Sequence, residues 1–302
     1  MSQVIDKQYL LRFGAFLLID KEAGLTSHDV VLKVRRIFSH QKCGHSGTLD
    51  PFATGLLIVA VGKTTRLLKY LTGLPKQYTG EFELGKATDT YDLTGNITNE
   101  AEVRNITLDH VTNEAQKFQG TSLQMPPMYS AVKYQGKKLY EYARLGLDVQ
   151  RKPRQIFVES FKVDKGTEAN CYNFEITCSS GTYVRSLIHD LGLKLGCYAY
   201  LKRLKRTFIG PFSWEEAVSI QDLNLSDLHS ALEIFSRFMP VVFVKKEQIE
   251  KIKNGAPFLK TELGAQGEGP WTAADNNGNL LAIYEKRSQI SLKPSVVLAN
   301  LD

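Results

Sequence analysis

The chain has 302 residues, is 43% hydrophobic and 23% charged, and carries a net charge of +6 with a pI near 9.0. This composition excludes disordered and fibrous classes and allows one large domain or two smaller ones. The basic balance favours a polyanionic partner, and no run approaches the roughly 20 apolar residues of a membrane helix.

In chain order, AFLLID (15–20) predicts a short buried strand. AGLTSHDVVLKVRRIF then predicts a helix capped by Thr26 or Ser27, with Asp29 in the first turn. Val30, Val31, Val34, Ile37 and Phe38 follow at helical spacing. A loop, CGHSGTLDPFATG (43–55), leads into the apolar strand LLIVAV. GKTTRLLKYLTG predicts a short helix and not a phosphate-binding loop, because the position five before Gly62 is Leu57 instead of glycine. KQYTGEFELG alternates as a strand, and KATDTYDLTGNI is a turn segment whose Asp89 and Asp92 read as Asx turns.

Residues 107–119 predict a helix ending at Gly120, and YNFEITCSS predicts a strand. GTYVRSLIHDLGLKLG predicts a turn and a helix stopping at Gly196. Phe238-Met239-Pro240 marks a boundary, followed by a small β-rich segment containing VVFV, a lysine-rich helix, DNNGN and LLAIY.

Cys43, Cys171, Cys178 and Cys197 form no CxxC pair and no zinc spacing, which fits reduced thiols in a cytoplasmic protein. KYQGKKLYEYARLGLDVQRKPR (133–154) interleaves lysine and arginine with Tyr134, Tyr140 and Tyr142. It reads equally as an RNA surface or as a solvated helix with tyrosines packed on the core. LKRLKRT (201–207) is a second basic cluster, and two such clusters favour nucleic acid.

The 43–55 loop carries the candidate chemistry. Asp50 precedes a proline, which places it on extended or turned backbone. On residue type alone it is a turn carboxylate, an N-cap, a metal ligand or a nucleophile. His45 lies five residues before it.

The blocks LLIDKEAGLTSHD, GHSGTLDPFATG, PPMYSAVKYQGKKLYEYAR, SSGTYVRSLIHDLG and LKRT occur in one order over roughly residues 15 to 212. Together they resemble the bacterial tRNA pseudouridine synthases of the TruB family, which modify a uridine in the TΨC loop. The resemblance implies an α+β fold: a mixed, largely antiparallel sheet with flanking helices, and a small β-rich C-terminal domain. It implies a catalytic domain over 1–238 and a PUA-like RNA-binding domain over 239–302. The latter part resembles the family only faintly, and a stabilising tail is its other reading.

The implied reaction isomerises uridine to pseudouridine after base flipping, with Asp50 as nucleophile and no metal or cofactor. Tyr78 matches the tyrosine that stacks on the flipped base, and His45 the residue that holds the extruded nucleotide. Tyr183 and Leu204 match pocket-lining positions, although the run YAYLKRLKRT also admits Leu201. Arg185 matches an arginine that pairs with the catalytic aspartate, and Lys21 a lysine near the site whose role is structural. The implied protein is a cytoplasmic monomer acting on the TΨC stem-loop of tRNA.

Overall fold

The computed structural model describes residues 5–39 and 41–298. The outermost ends of both expected domains, 1–4 and 299–302, therefore lie outside the described residues. The chain divides into two compact units: one of residues 1–51, 55–72 and 210–302, the other of 52–54 and 73–209.

The first unit begins with helix α1 (Lys7–Phe13), strand β1 (Ala15–Lys21), helix α2 (Ser27–Ile37), strands β2 (Cys43–His45) and β3 (Thr54–Val61), and helix α3 (Leu68–Thr72). The expected cap of α2 is Thr26, in a reciprocal box with Asp29, worth about 1 kcal/mol. The helix lays Val30, Val31 and Val34 onto Leu17 and Ile19 of β1 and Leu57, Val59 and Val61 of β3. Phe16, on the opposite face of β1, meets Phe235 at 5.9 Å. Both faces of β1 are thus covered, which is why AFLLI reads as a continuous apolar run without alternation. β3 pairs antiparallel with β1 and, through Val59–Val61, with β2.

The second unit contains β4 (Lys76–Leu84), the hairpin β5 (Lys86–Thr88) and β6 (Ile97–Glu100), α4 (Leu108–Gln116), β7 (Gly120–Gln124) and a small hairpin, β8 (Lys133–Tyr134) and β9 (Lys137–Lys138). It continues through α5 (Leu139–Arg144), β10 (Arg154–Lys165), β11 (Cys171–Cys178), α6 (Val184–Lys194) and β12 (Ala199–Ile209). Its strands run β12-β4-β11-β10-β7, each pairing antiparallel.

The chain then re-enters the first unit with β13 (Phe212–Ser213), β14 (Val218–Ser219) and α7 (Ala231–Phe235). β14 lies parallel to β1. The last segment holds β15 (Val241–Phe243), α8 (Lys246–Lys253), β16 (Phe258–Leu259), α9 (Lys260–Leu263), β17 (Trp271–Ala274), β18 (Leu280–Lys286) and β19 (Ser291–Val297). These five strands form a separate sheet around the buried rings of Trp271 and Tyr284. Trp271 Nε1 donates to the Gln266 carbonyl at 2.7 Å, and the Tyr284 hydroxyl to that of Ala256 at 3.0 Å. The architecture is α+β, mixed and largely antiparallel, with a β-rich C-terminal part.

Gly80 on β4 has a steric reason to be glycine. A Cβ there would lie 2.0 Å from the Arg203 carbonyl oxygen and 2.7 Å from the Phe174 ring. The close carbonyl belongs to a bulge in β12 between Leu201 and Arg203, which bends that strand onto β4. Gly80→Ala is expected to destabilise the protein by about 2–3 kcal/mol, read as a lower urea midpoint at unchanged slope.

Candidate active site

The Asp50 loop is held on both sides by the segment that joins β1 to α2. Ahead of Asp50, the Leu49 N–H donates to Ser27 Oγ at 2.8 Å, and that hydroxyl donates to the Leu49 carbonyl at 3.2 Å. Behind it, the Pro51 carbonyl accepts from the Gly24 N–H at 2.8 Å and from Lys21 Nζ at 3.2 Å. Lys21 is 1% exposed and also donates to the carbonyls of Leu25 (2.6 Å) and Glu22 (2.9 Å). Its ammonium thus gathers carbonyls from the β1–α2 turn and the Asp50 loop, compensating the cost of burying a charge.

His45 closes β2. The Gly47 N–H donates to its Nδ1 at 3.2 Å, leaving Nε2 to carry the proton of the neutral ring. Lys21, His45 and Asp50 are thereby gathered in the first unit, and the chain crosses into the second unit between Pro51 and Phe52.

The other four expected residues lie in the second unit. Tyr78 sits on β4 opposite Ile176 of β11 and Arg206 of β12. Strand alternation puts Lys76, Gly80 and Phe82 on its face. Leu204 is 6% exposed and stands opposite Gly80, two residues from Arg206, whereas Leu201 stands opposite Phe82. The β12 bulge brings both leucines to one face, and Leu204 is the nearer to Tyr78 along the sheet.

Tyr183 is the N-cap of α6. Its backbone is gripped by the buried amide of Gln124: Tyr183 N–H donates to Gln124 Oε1 at 2.8 Å, and Gln124 Nε2 donates to the Tyr183 carbonyl at 3.0 Å. Arg185, in the first turn of α6, is buried and donates to the carbonyls of Thr90 and Tyr129, each at 2.8 Å. Its guanidinium also pairs with Asp92 at 3.3 Å.

Asp92 is more than the Asx turn its sequence predicts. One oxygen accepts from the Thr94 N–H and from the hydroxyls of Thr90 and Thr94, while the other faces Arg185. Asp89 does not make the expected Asx turn: its carboxylate reaches seven residues ahead to accept from the Asn96 N–H at 2.9 Å.

Lys76 also escaped the sequence reading, although its place two residues before Tyr78 marks it as sharing that tyrosine's face. It is buried, and its pKa is pushed down to about 8 by burial and then by nearby Arg206.

Part of the charge of LKRLKRT is taken up by glutamates of its own unit. Lys202 Nζ lies 2.8 Å from Glu168, 3.3 Å from Glu83 and 3.6 Å from Glu81. Arg203 pairs with Glu81 at 2.8 Å, and Arg206 is buried. As strand residues beside β4, two of the segment's four cations pair with glutamates within the second unit. In the 133–154 segment, by contrast, Lys138 and Arg144 both lie 5.4 Å from the Tyr140 ring, and Tyr134 meets Tyr142 edge-on.

Among the described residues no group of three or more His, Cys, Asp or Glu could hold a metal ion, and no helix is long and apolar enough to cross a membrane.

Comparison with known proteins matches the model for "TruB family pseudouridylate synthase (N terminal domain)" to residues 35–184. The tRNA pseudouridylate synthase B C-terminal domain matches residues 185–233. The chain is 42% identical over 302 residues to tRNA pseudouridine synthase B of Bacillus cytotoxicus, covering 94% of this chain and 97% of that one. To the protein of the same name from Dehalococcoides mccartyi it is 41% identical over 262 residues, covering 84% and 87%. A chain in the crystal structure of a Cbf5-Nop10-Gar1 complex shares the fold, with a TM-score of 0.74 at 24% identity over 97% of this chain and 87% of that chain. The fold is that of the pseudouridine synthases, a class of isomerases. This chain belongs to the TruB family of pseudouridylate synthases.

Two outcomes follow from the geometry. Ser27→Ala removes both hydrogen bonds to Leu49. It should cost about 1–2 kcal/mol and speed amide exchange at Leu49 relative to the strand amides of β3. Asp190, on α6, has its pKa raised to about 6, chiefly by burial. Its folded-state value lies above the unfolded one, so its contribution favours folding below about pH 4 and is lost as pH rises through about 6. Asp190→Asn should therefore raise stability at pH 7 by about 1 kcal/mol after allowance for solvent screening. It should also flatten the melting temperature between those two pH values.

Proposed function

We propose that the protein converts uridine to pseudouridine in the TΨC loop of tRNA, acting in the cytoplasm as a monomer, with Asp50 as nucleophile. Family membership and relatives named tRNA pseudouridine synthase B support the reaction class and the tRNA substrate. The observation that carries the residue assignment is the anchoring of Leu49 and Pro51 on either side of Asp50. A nucleophile must be held at attack geometry before substrate arrives, and a solvated turn carboxylate has no need of such bracing.

The target base is stacked in its loop and has to be extruded, at a cost of a few kcal/mol. Asp50 then forms a covalent adduct with the nucleotide, and the bond between C1′ and N1 breaks. The uracil turns, C1′ joins C5, and the bond to Asp50 breaks to return the free carboxylate. The C5 hydrogen leaves as a proton and N1 gains one, so the formula is unchanged and no redox partner enters. In this reading Tyr78 stacks on the flipped base and His45 holds the extruded nucleotide. Tyr183, Leu204 and Arg185 take the binding roles of their family counterparts, and Lys21 acts by fixing the Pro51 carbonyl. The catalytic domain runs to residue 238, and residues from 239 onward form the PUA-like domain that adds RNA contact.

Asp50→Asn separates chemistry from binding, because the amide keeps the shape but loses the charge and the nucleophilic oxygen. The variant should fold and bind unmodified tRNA as tightly as wild type, with pseudouridine formation below detection when the product RNA is mapped. Turnover at a substantial rate would remove Asp50 from the role. A wild-type protein that binds tRNA without ever forming pseudouridine would make it an RNA-binding protein instead.

A further inference from the structure

The end of the β2–β3 pair remote from the Asp50 loop carries an unexplained concentration of positive charge. Lys42 immediately precedes β2, and its carbonyl accepts from the Gly62 N–H at 2.6 Å. Lys63 follows Gly62. The C-terminus of α1 docks here so closely that a Cβ on Gly14 would lie 2.8 Å from the Lys63 backbone nitrogen, which brings Arg12, in the last turn of α1, to the same place. Arg35, in the last turn of α2, approaches from the other side, where that helix packs on β2.

Arg12, Arg35 and Lys42 are exposed and Lys63 is half-buried. Among the described residues no carboxylate pairs with any of the four. Arg12 and Arg35 each complement a helix C-terminus, but that leaves Lys42 and Lys63 without a local reason. The repulsion registers in the chemistry: the Lys63 pKa is lowered by burial and then by Arg12. Around Lys202, by contrast, crowded positive charge is met by glutamates. Here the positive potential is left open.

We propose that Arg12, Arg35, Lys42 and Lys63 form a second contact surface for the RNA sugar–phosphate backbone, separate from the Asp50 loop. The eight residues of β3, at about 3.3 Å each, put it roughly 20 Å from that loop, so it grips a part of the RNA remote from the reacting base. Charge complementarity selects the ligand: an open group of four cations, two of them guanidinium forks, fits adjacent phosphates. No apolar or aromatic side chain is required for base reading, so the contact fixes position without reading sequence.

This proposal rests on tRNA being the ligand, and the test keeps the two apart. Unmodified tRNA is titrated by fluorescence anisotropy across a range of salt, with wild type and the variant Arg12→Ala/Arg35→Ala/Lys42→Ala/Lys63→Ala. Each lost phosphate contact lowers the slope of log affinity against log salt by about 0.9. The variant, which removes four cations, is expected to lose about 3–4 from that slope and at least about a hundredfold in affinity near 0.1 M salt. Its single-turnover rate at saturating protein should match wild type, since no catalytic group is altered. A control variant, Arg104→Ala/Lys117→Ala/Lys162→Ala/Arg237→Ala, removes as many charges from sites that already hold a glutamate partner and lie outside the segment from 239 onward, and should keep the wild-type slope. An unchanged slope in the first variant, or an equal loss in the control, overturns the surface while leaving the enzyme reading intact. Wild-type protein that neither binds nor modifies tRNA brings down the enzyme reading, and the surface with it.

Discussion

The carbonyl of Pro51 is the point on which the candidate catalytic loop depends. It accepts from a buried ammonium and from a backbone N–H of the β1–α2 turn, while one hydroxyl closes the other side of the loop at Leu49. These partners exist only because β1 ends at Lys21 and α2 starts at Ser27, two boundaries set by the buried AFLLI run and the Thr26–Asp29 box. A short strand, a turn and a helix cap thus determine where one carboxylate stands. The loop can be rich in glycine without being slack, because its order is supplied by neighbours and not by its own propensity.

The second unit solves a related problem on a sheet. α6 has to present Tyr183 and Arg185 at its first turn, where backbone N–H groups lack intrahelical partners. Gln124 pairs with both polar groups of the Tyr183 backbone, and Asp92 with two carbonyls holds the guanidinium. Both devices reach across more than fifty residues of sequence. The helix start is therefore built by tertiary structure rather than by a local cap, and it forms only when the sheet and the turn containing Asp92 are in place.

Legibility from sequence followed the range of the interaction. The α2 cap, the two buried strands of the first unit, the Asx turn at Asp92 and the break before α6 were all readable from their local sequence. The Asp50 loop was recognisable as a block, but its bracing was not, because Ser27 looks like an ordinary cap residue until it meets Leu49. Asp92 shows the same limit: its local hydrogen bonds were foreseeable, and its ion pair with Arg185 was not. The glutamate partners of the basic run at 201–207 were also out of reach of the sequence. Charge along a sequence says nothing of the neighbouring strand, and here Glu81 and Glu83 stand beside it.

The buried cations share a further feature. Lys21 donates to three carbonyls, Lys76 Nζ to the Leu74 carbonyl at 2.6 Å, and Arg185 to two carbonyls beside its pairing with Asp92. A carbonyl satisfies an N–H donor with a partial charge, so the hydrogen bond is made while most of the positive potential survives. A carboxylate in the same place would cancel that potential. The lowered pKa of Lys76 measures the cost of this choice, as burial and Arg206 both disfavour its charged form. The glutamates around Lys202 mark the opposite choice, at a strand whose cations brace the sheet.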